Sequence, residues 1–183
     1  MSGRSPGVHL NAIGQQQAAD LPGRLAHAPL HAIYSSPLER TLETARPLAE
    51  ARALPVNIDP RFVEIEYGEW TNRTFASMAG DESWRLYNTV RGVTRPPGGE
   101  GLIDIQQRVV DGLLDLSARH VDQTVAIVSH ADTLRAVVMY FLSIPIDFVL
   151  RVELEPAHIS VLQLGAGAPR VLQINGTSYH PGV

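Results

Sequence analysis

Two segments of the sequence place a side chain suited to phosphate directly after a short apolar run. The first reads Ser-Ser-Pro-Leu-Glu-Arg-Thr over residues 35–41 and follows Ala-Ile-Tyr. It puts Arg40 in the first turn of a predicted helix, where unpaired backbone N–H groups and the helix dipole favour an anion. A planar guanidinium can also bind two phosphate oxygens at once. From this segment alone, an arginine paired only with Glu39 or Glu43 on its own helix is an equally good interpretation.

The same segment predicts where its helix begins. Ser36 is a suitable N-cap, Pro37 suits the first helical position, and Glu39 three residues after the cap completes a capping box. The spacing therefore predicts a helix that starts at Pro37.

The second segment is the continuous apolar run 125–128, followed by Ser129-His130 and a predicted helix. Ligands of open α/β sheets bind beyond the carboxyl ends of the strands, and both segments lie at such ends. An imidazole there can donate to phosphate oxygens or carry a proton near neutral pH. A histidine that merely bonds a neighbouring loop is the alternative, but two such junctions favour a phosphate pocket.

Cleavage of a phosphate ester also needs a proton for the leaving alcohol, which a carboxylic acid can provide. Glu64 and Glu66 are the candidates. Either could instead be solvated or paired with Arg61 or Arg73, the more frequent fate of a charged residue in a loop. Spacing alone does not choose between them.

The composition restricts the function classes. A chain of 183 residues suits one domain, and its formal charge of -4 argues against a nucleic-acid binder with a broad basic face. The sequence contains no cysteine, no apolar run long enough to span a membrane and no secretory signal at its start. We therefore expect a cytoplasmic protein that binds a small anionic ligand in a pocket, with no nucleic-acid or membrane partner.

The hydrophobic pattern predicts a three-layer α/β/α sandwich with a mostly parallel sheet. The irregular segment 59–101 is interpreted as an insertion over the pocket. The continuous apolar strand at 125–128 indicates that both of its faces are covered. The predicted helices are 11–26 (kinked or shortened at Pro22-Gly23), one after residue 36, 83–90, 102–116 and 132–142, and the predicted strands are 31–34, 56–58, 125–128, 158–164 and 170–175, the last two as a hairpin.

Several motifs, in order along nearly the whole chain, resemble the phosphoglycerate mutase-like histidine phosphatase superfamily. They are Leu-Asn-Ala-Ile-Gly at 10–14, Tyr-Ser-Ser-Pro-Leu-Glu-Arg-Thr at 34–41, Glu-Ile-Glu-Tyr-Gly-Glu-Trp at 64–70, Pro-Gly-Gly-Glu at 97–100 and Val-Ser-His-Ala at 128–131. The resemblance implies a phosphatase in which Arg40 binds the phosphoryl group, Glu64 is the general acid/base and His130 stabilises the transition state. It favours Glu64 over Glu66, because the family carboxylate holds the first position of its motif.

The resemblance also implies a small phosphorylated substrate, no metal or other cofactor, and substrate contacts from Arg4, Ser36 and Ala131. The chain departs from the family pattern at Thr71-Asn72, which replaces a frequent Glu-Gly, and at Ala131, which replaces a frequent glycine. We expect the alanine to alter the width of the pocket more than its chemistry.

A larger departure is that no buried strand ends in Arg-His-Gly or Arg-His-Ala, the family segment whose histidine becomes phosphorylated. The only Arg-His pair, Arg119-His120, ends a predicted helix and is rejected as the nucleophile. Gly3-Arg4 resembles the segment that follows the missing motif. We expect that roughly 20 residues are missing upstream, which form a central strand and its loop. We also expect these 183 residues alone to be inactive.

The sequence leaves three functions open. The first is a phosphomonoesterase that forms a phosphohistidine in its full-length form, the second a mutase of the phosphoglycerate type, and the third a protein that binds a phospholigand without catalysis. Trp70, Trp84 and Tyr87 could form an apolar pocket wall for a mutase or simply belong to the core. The oligomeric state is open as well, a homodimer included.

Overall fold

Helices lie on both sides of a short parallel sheet in the computed structural model, which describes residues 1–180. The strands are β1 (Leu30–Ser35), β2 (Val56–Ile58), β3 (Thr124–Val128), β4 (Ile159–Gln163) and β5 (Arg170–Gly176). The helices are α1 (Ala12–Arg24), α2 (Glu39–Arg52), α3 (Phe75–Met78), α4 (Glu82–Thr89), α5 (Leu102–Arg119) and α6 (Ala131–Phe141), with 3-10 turns at Pro60–Phe62, Gly68–Trp70 and Ile146–Arg151. Among the described residues, no helix combines the length and hydropathy that crossing a bilayer requires.

The parallel sheet has the strand order β2-β1-β3 and confirms the predicted α/β fold. Ser35 at the end of β1 pairs with Val128 at the end of β3, and the Ser36 N–H donates to the Val128 carbonyl over 3.0 Å. The two junctions that carry Arg40 and His130 therefore leave the sheet side by side. Strands β4 and β5 form the predicted antiparallel hairpin.

Side chains from alternate positions of β3 pack into two different apolar clusters, as the two sides of a sandwich require. Ala126 and Val128 contact the cluster formed by α2 and the segment just after α1, whereas Val125 and Ile127 contact the cluster of α5. The buried members on the first side are Leu25, Ala28, Ile33, Ala45, Leu48 and Ala49, and on the second Ala32, Tyr34, Phe62, Val109 and Leu116.

Strand β3 has one free edge in the described part of the chain. It pairs only with β1, and β4 pairs only with β5. All five residues of β3 remain partly exposed, whereas the last four residues of β1 are buried. The continuous apolar run predicted that both faces of this strand are covered, and helices do pack against both faces. Among the described strands, however, β3 has a neighbour along one edge only. Such an edge offers unpaired backbone groups to a further extended segment.

The predicted start of α2 is wrong by two residues, because the capping box does not form. Helix α2 begins at Glu39, with Leu38 at the N-cap position and no side-chain hydrogen bond to the cap. The Ser36 hydroxyl contacts the His130 ring and accepts the Leu38 N–H only at 3.4 Å, and the Glu39 carboxylate accepts the Gly7 N–H over 3.0 Å. Tertiary partners thus compete with the helix start for both capping side chains. Pro22 lies within α1, which ends soon after it, at Arg24.

Segment 59–101 folds into short turns and helices that pack closely on one another. Gly68 has φ +52°, and a Cβ there would lie 2.2 Å from the Pro97 carbonyl oxygen. The Glu100 N–H donates to the Glu66 carbonyl over 2.9 Å, which ties the two motifs of this segment together. Trp70 and Tyr87 are fully buried core residues. That the whole segment is an insertion over the pocket stays a prediction.

Candidate active site

Arg40 and His130 meet where β1 and β3 end. Arg40 is the second residue of α2, and its Nη2 donates to the Gly3 carbonyl over 2.9 Å and lies 3.2 Å from His130 Nδ1. Its Nη1 is buried and has no hydrogen-bond partner among residues 1–180. An unpaired buried guanidinium nitrogen costs free energy unless an acceptor is supplied. The first turn of α2 thus presents a cationic donor ready for an anion.

His130 caps α6 and is 6% exposed. Its Nε2 lies 2.7 Å from Ser36 Oγ, so both ring nitrogens are engaged. Burial and the positive charges of Arg40, Arg108 and Arg4 lower the pKa of His130 to about 3. The ring is therefore neutral at neutral pH, and we assign it as accepting at Nδ1 and donating at Nε2.

Glu64 supplies the carboxyl group of the site. Its Oε2 lies 3.9 Å from His130 Nδ1, and its Oε1 accepts the N–H of Ile65 over 2.9 Å. Burial, and then the negative charge of Asp132, raise the pKa of Glu64 to about 7, although the Ile65 N–H and nearby arginines oppose the shift. A carboxyl group that titrates near neutrality can both donate and accept a proton at working pH.

Arg4 and Arg108 hold the backbone of Glu64 in place. Arg4 Nε donates to the Glu64 carbonyl over 2.7 Å, and its Nη2 donates to Glu100 over 2.7 Å. Arg108 Nε donates to the other oxygen of Glu100 over 2.8 Å, and its Nη1 donates to the Arg61 carbonyl over 2.6 Å. Glu100, the last residue of the Pro-Gly-Gly-Glu motif, is thus the carboxylate that orients both arginines.

The residues predicted from the sequence come together, while their roles stay predictions. Arg40, Glu64, His130 and Ser36 are linked by the contacts above, and Ala131 lines a cavity together with Glu64. Arg4 lies against the backbone of Glu64.

Two residues considered at the sequence level are engaged elsewhere. One Glu66 carboxylate oxygen accepts the Gly68 N–H over 3.3 Å. His120 precedes β3, whereas His130 follows it, and the His120 ring bonds the Tyr34 hydroxyl over 2.8 Å. The structure therefore separates both of them from the Arg40–His130 contact.

The charged residues Asp132 and Arg91, which line the same cavity as Ala131, were not predicted from the sequence. Asp132 is buried, accepts from the Tyr67 hydroxyl and Arg135, each over 3.1 Å, and lies 3.5 Å from Arg91 Nη1. Burial is the main cause that raises the pKa of Tyr67, with the charge of Asp132 adding to it. The sequence does carry a signal for Asp132, because this residue lies in the first turn of the helix after His130. Arg91 lies in a stretch with no periodic pattern that could have pointed to it.

The charges of the site suit an anion better than a cation, because Arg40 lies beside a neutral imidazole with one donor unpartnered among residues 1–180, whereas Arg4 and Arg108 are paired with Glu100. Within residues 1–180, no group of three or more histidines or carboxylates has the arrangement of a metal site. Arginine side chains can bind and polarise phosphoryl oxygens directly.

Comparison with known proteins identifies the family. The profile of the histidine phosphatase superfamily (branch 1) matches residues 1–177. A Mycobacterium tuberculosis protein described as bifunctional is 34% identical over 183 residues, 97% of this chain, and the chain spans 50% of its length. Phosphoserine phosphatase 1 of Hydrogenobacter thermophilus is 31% identical, covering 93% of this chain and 82% of that protein. The solved structure of Bacillus stearothermophilus YhfR has 27% identity and a TM-score of 0.88, covering 98% of this chain and 89% of that one. The chain belongs to the histidine phosphatase superfamily.

Proposed function

We propose that this site binds and transfers the phosphoryl group of a small phosphomonoester, which the intact protein hydrolyses through a phosphohistidine. The observation that carries the proposal is the buried Nη1 of Arg40 at the start of α2, which has no partner among residues 1–180 and belongs to the guanidinium beside the neutral ring of His130. Phosphoryl oxygens are acceptors that satisfy this donor and interact favourably with the helix dipole. The names of relatives such as phosphoserine phosphatase 1 support hydrolysis as the reaction.

The surroundings of Arg40, His130 and Glu64 suit each residue to one step of the reaction. Arg40 holds the phosphoryl oxygens, and His130 orients its guanidinium through the Nδ1–Nη2 contact, while a histidine nitrogen attacks phosphorus and the bond to the ester oxygen breaks. Glu64, with its pKa raised to about 7, gives its proton to that leaving oxygen. Water then attacks the phosphohistidine, Glu64 takes up the proton of the water, and inorganic phosphate leaves. No step requires a metal ion.

His130 itself is poorly suited to be the nucleophile. Ser36 and Arg40 occupy its two ring nitrogens, and its lowered pKa reduces its basicity. We therefore assign nucleophilic attack to a histidine on an extended segment outside these 183 residues, seated along the free edge of β3. The unpaired edge and the partial exposure of β3 support this assignment. These 183 residues by themselves would then bind phosphate without turning over an ester.

The finer expectations from the sequence belong to the same proposal. They comprise substrate contacts from Ser36, Ala131 and Arg4, independence of metal ions, a cytoplasmic location and assembly as a homodimer. A mutase would share the phosphoryl-transfer steps but return the phosphoryl group to its substrate, whereas a phospholigand-binding protein would use only the binding step.

The test is to express the reading frame together with its upstream coding sequence and to measure release of inorganic phosphate from a panel of phosphomonoesters. We expect hydrolysis, together with an acid-labile, base-stable phosphoenzyme trapped from labelled substrate. Isomerised ester without phosphate release would identify a mutase. Tight phosphate binding with neither product nor phosphoenzyme would identify a binding protein and overturn the proposed hydrolysis.

A further inference from the structure

The backbone that leads into Glu64 is held by side chains and not by a neighbouring strand. Residues 63–67 belong to no strand of either sheet, although Phe62 and Ile65 are fully buried. A carbonyl group that is shielded from water needs a donor, and four consecutive ones, those of residues 61–64, each accept from a side chain of another part of the chain. The donors are Arg108 Nη1 to Arg61 over 2.6 Å, Ser129 Oγ to Phe62 over 2.7 Å, Thr133 Oγ1 to Val63 over 3.0 Å and Arg4 Nε to Glu64 over 2.7 Å.

Two of these donors flank His130. Ser129 comes directly before it, and Thr133 is the third residue of α6, whose N-cap is His130. Thr133 is fully buried, and its hydrogen bond to the Val63 carbonyl is buried as well. The junction that presents the His130 ring is therefore bonded directly to the two residues that precede Glu64.

The two hydroxyl groups and the two arginines hold this backbone in different ways. Arg4 and Arg108 are both paired with Glu100, so they relate the position of Glu64 to that motif. The hydroxyl groups come from the junction that carries His130, so they relate the position of Glu64 to the His130 ring. The Oε2 atom of Glu64 lies 3.9 Å from Nδ1 of that ring. A short side-chain separation is thus supported by short backbone contacts on the same two elements.

We infer that Thr133, together with Ser129, is a positioning residue that holds Glu64 at the separation from His130 that proton transfer to the leaving oxygen requires. The inference rests on the proposed function, because a leaving oxygen is present only where Arg40 holds a phosphoryl group. A general acid acts within hydrogen-bond distance, and a displacement of about 1 Å can cost about a hundredfold in rate. Thr133 acts through the Val63 carbonyl and leaves the proton transfer itself to Glu64.

Esters with different leaving groups separate this role from a general loss of structure. Thr133→Val keeps the shape of the side chain and removes its hydroxyl group. In the protein expressed with its upstream coding sequence, we expect kcat/KM for an alkyl phosphate to fall by about tenfold to a hundredfold. The value for p-nitrophenyl phosphate should fall by less than about threefold, because p-nitrophenolate leaves without a proton. Equal losses for the two esters, or no loss for either, would overturn the inference.

Two further variants assign the effect to the hydroxyl group. Thr133→Ser retains the donor and should recover most of the activity on the alkyl phosphate. Thr89→Val is the matched control, because Thr89 Oγ1 also donates to a backbone carbonyl, that of Arg85 over 2.9 Å, but at an exposed position of α4. It should change the kcat/KM of neither ester. A Thr133→Ser protein as impaired as Thr133→Val would contradict the role of the hydrogen bond.

The 183-residue chain provides a readout that needs no turnover. In an NMR titration of the carboxyl groups, the pKa of Glu64 should fall in Thr133→Val from about 7 towards its ordinary value of 4.5, because a displaced carboxyl group gains contact with water. If the extended protein hydrolyses no ester, the proposed hydrolysis fails, and a lowered pKa in Thr133→Val would still establish that Thr133 positions Glu64. An unchanged pKa would overturn the positioning role whether or not the protein is a phosphatase.

Discussion

His130 Nε2 lies 2.7 Å from the hydroxyl oxygen of Ser36, and this contact joins the ends of β1 and β3. Both residues are buried, so the bond is shielded from water. It fixes the tautomer of His130 and thereby leaves Nδ1 as an acceptor for Arg40. Ser36, which the sequence pattern predicted as a helix N-cap, therefore contributes to the Arg40–His130 site.

Replacing Ser36 by alanine should cost about 1–3 kcal/mol of unfolding free energy, because the His130 Nε2–H is left buried without an acceptor. Urea denaturation monitored by circular dichroism measures the change. Ser83→Ala at an exposed position of α4 is the control and should shift the free energy by less than about 0.5 kcal/mol. Equal stability of the two variants would show that the Ser36–His130 bond contributes nothing.

Arg40→Gln should weaken binding of inorganic phosphate by about tenfold to a hundredfold, because charge-assisted hydrogen bonds from the guanidinium are lost. Loss of the Nη2 contacts with Gly3 and His130 should cost about 1–3 kcal/mol, which should leave the protein folded. Calorimetric titration gives the affinity. Arg46→Gln alters an exposed arginine of the same helix and serves as the matched control. Phosphate affinity that survives in Arg40→Gln would place the anion elsewhere.

Glu64 should make stability depend on pH in a specific direction. Because its folded pKa is raised from 4.5 to about 7, the folded state holds more protons than the unfolded state between these values. The contribution of Glu64 to unfolding free energy therefore falls as pH rises through this window, by about 3 kcal/mol. The unfolding free energy of Glu64→Gln minus that of the unmodified protein should therefore be more positive at pH 8 than at pH 5.

Two controls make that pH experiment decisive. His130 acts in the opposite direction, since its lowered pKa makes stability rise between about pH 3 and 6.5, and it is present in both proteins. Glu82→Gln should show no such gain between pH 5 and 8, because the hydrogen bond from Arg85 lowers the pKa of the Glu82 carboxyl. Parallel stability curves for Glu64→Gln and the unmodified protein from pH 5 to 8 would contradict a raised pKa at Glu64.

Gly68→Ala should destabilise the protein by about 2–5 kcal/mol, because a Cβ would lie 2.2 Å from the Pro97 carbonyl oxygen and φ is +52°. Gly80→Ala is the matched control, since a Cβ there meets nothing within 4 Å. Thermal unfolding of both variants measures the difference. A Gly68→Ala protein as stable as the control would mean that the 64–70 and 97–100 motifs do not pack as described.

The sequence predicted the parallel sheet, Arg40 and His130 because strands that end in polar side chains are a local signal, whereas Glu64 was chosen over Glu66 only through the family resemblance. The predicted start of α2 was wrong because tertiary contacts compete with local ones: Ser36 contacts His130, and Glu39 accepts from Gly7. Nothing in the sequence indicated that Arg91 is buried with two guanidinium nitrogens unpartnered among the described residues, because no spacing of residues encodes these features. The free edge of β3 has the same origin, since an apolar run does not show how many neighbours a strand has.

The central claim is that Arg40, His130 and Glu64 form a phosphoryl-transfer site, and phosphate release by the chain expressed with its upstream coding sequence tests it most directly. We expect hydrolysis of a small phosphomonoester, reduced at least about a hundredfold by Arg40→Gln and by Glu64→Gln, and unchanged by Arg46→Gln. Neither phosphate release from nor isomerisation of any ester, or full activity in the Arg40 and Glu64 variants, would contradict the phosphoryl-transfer site.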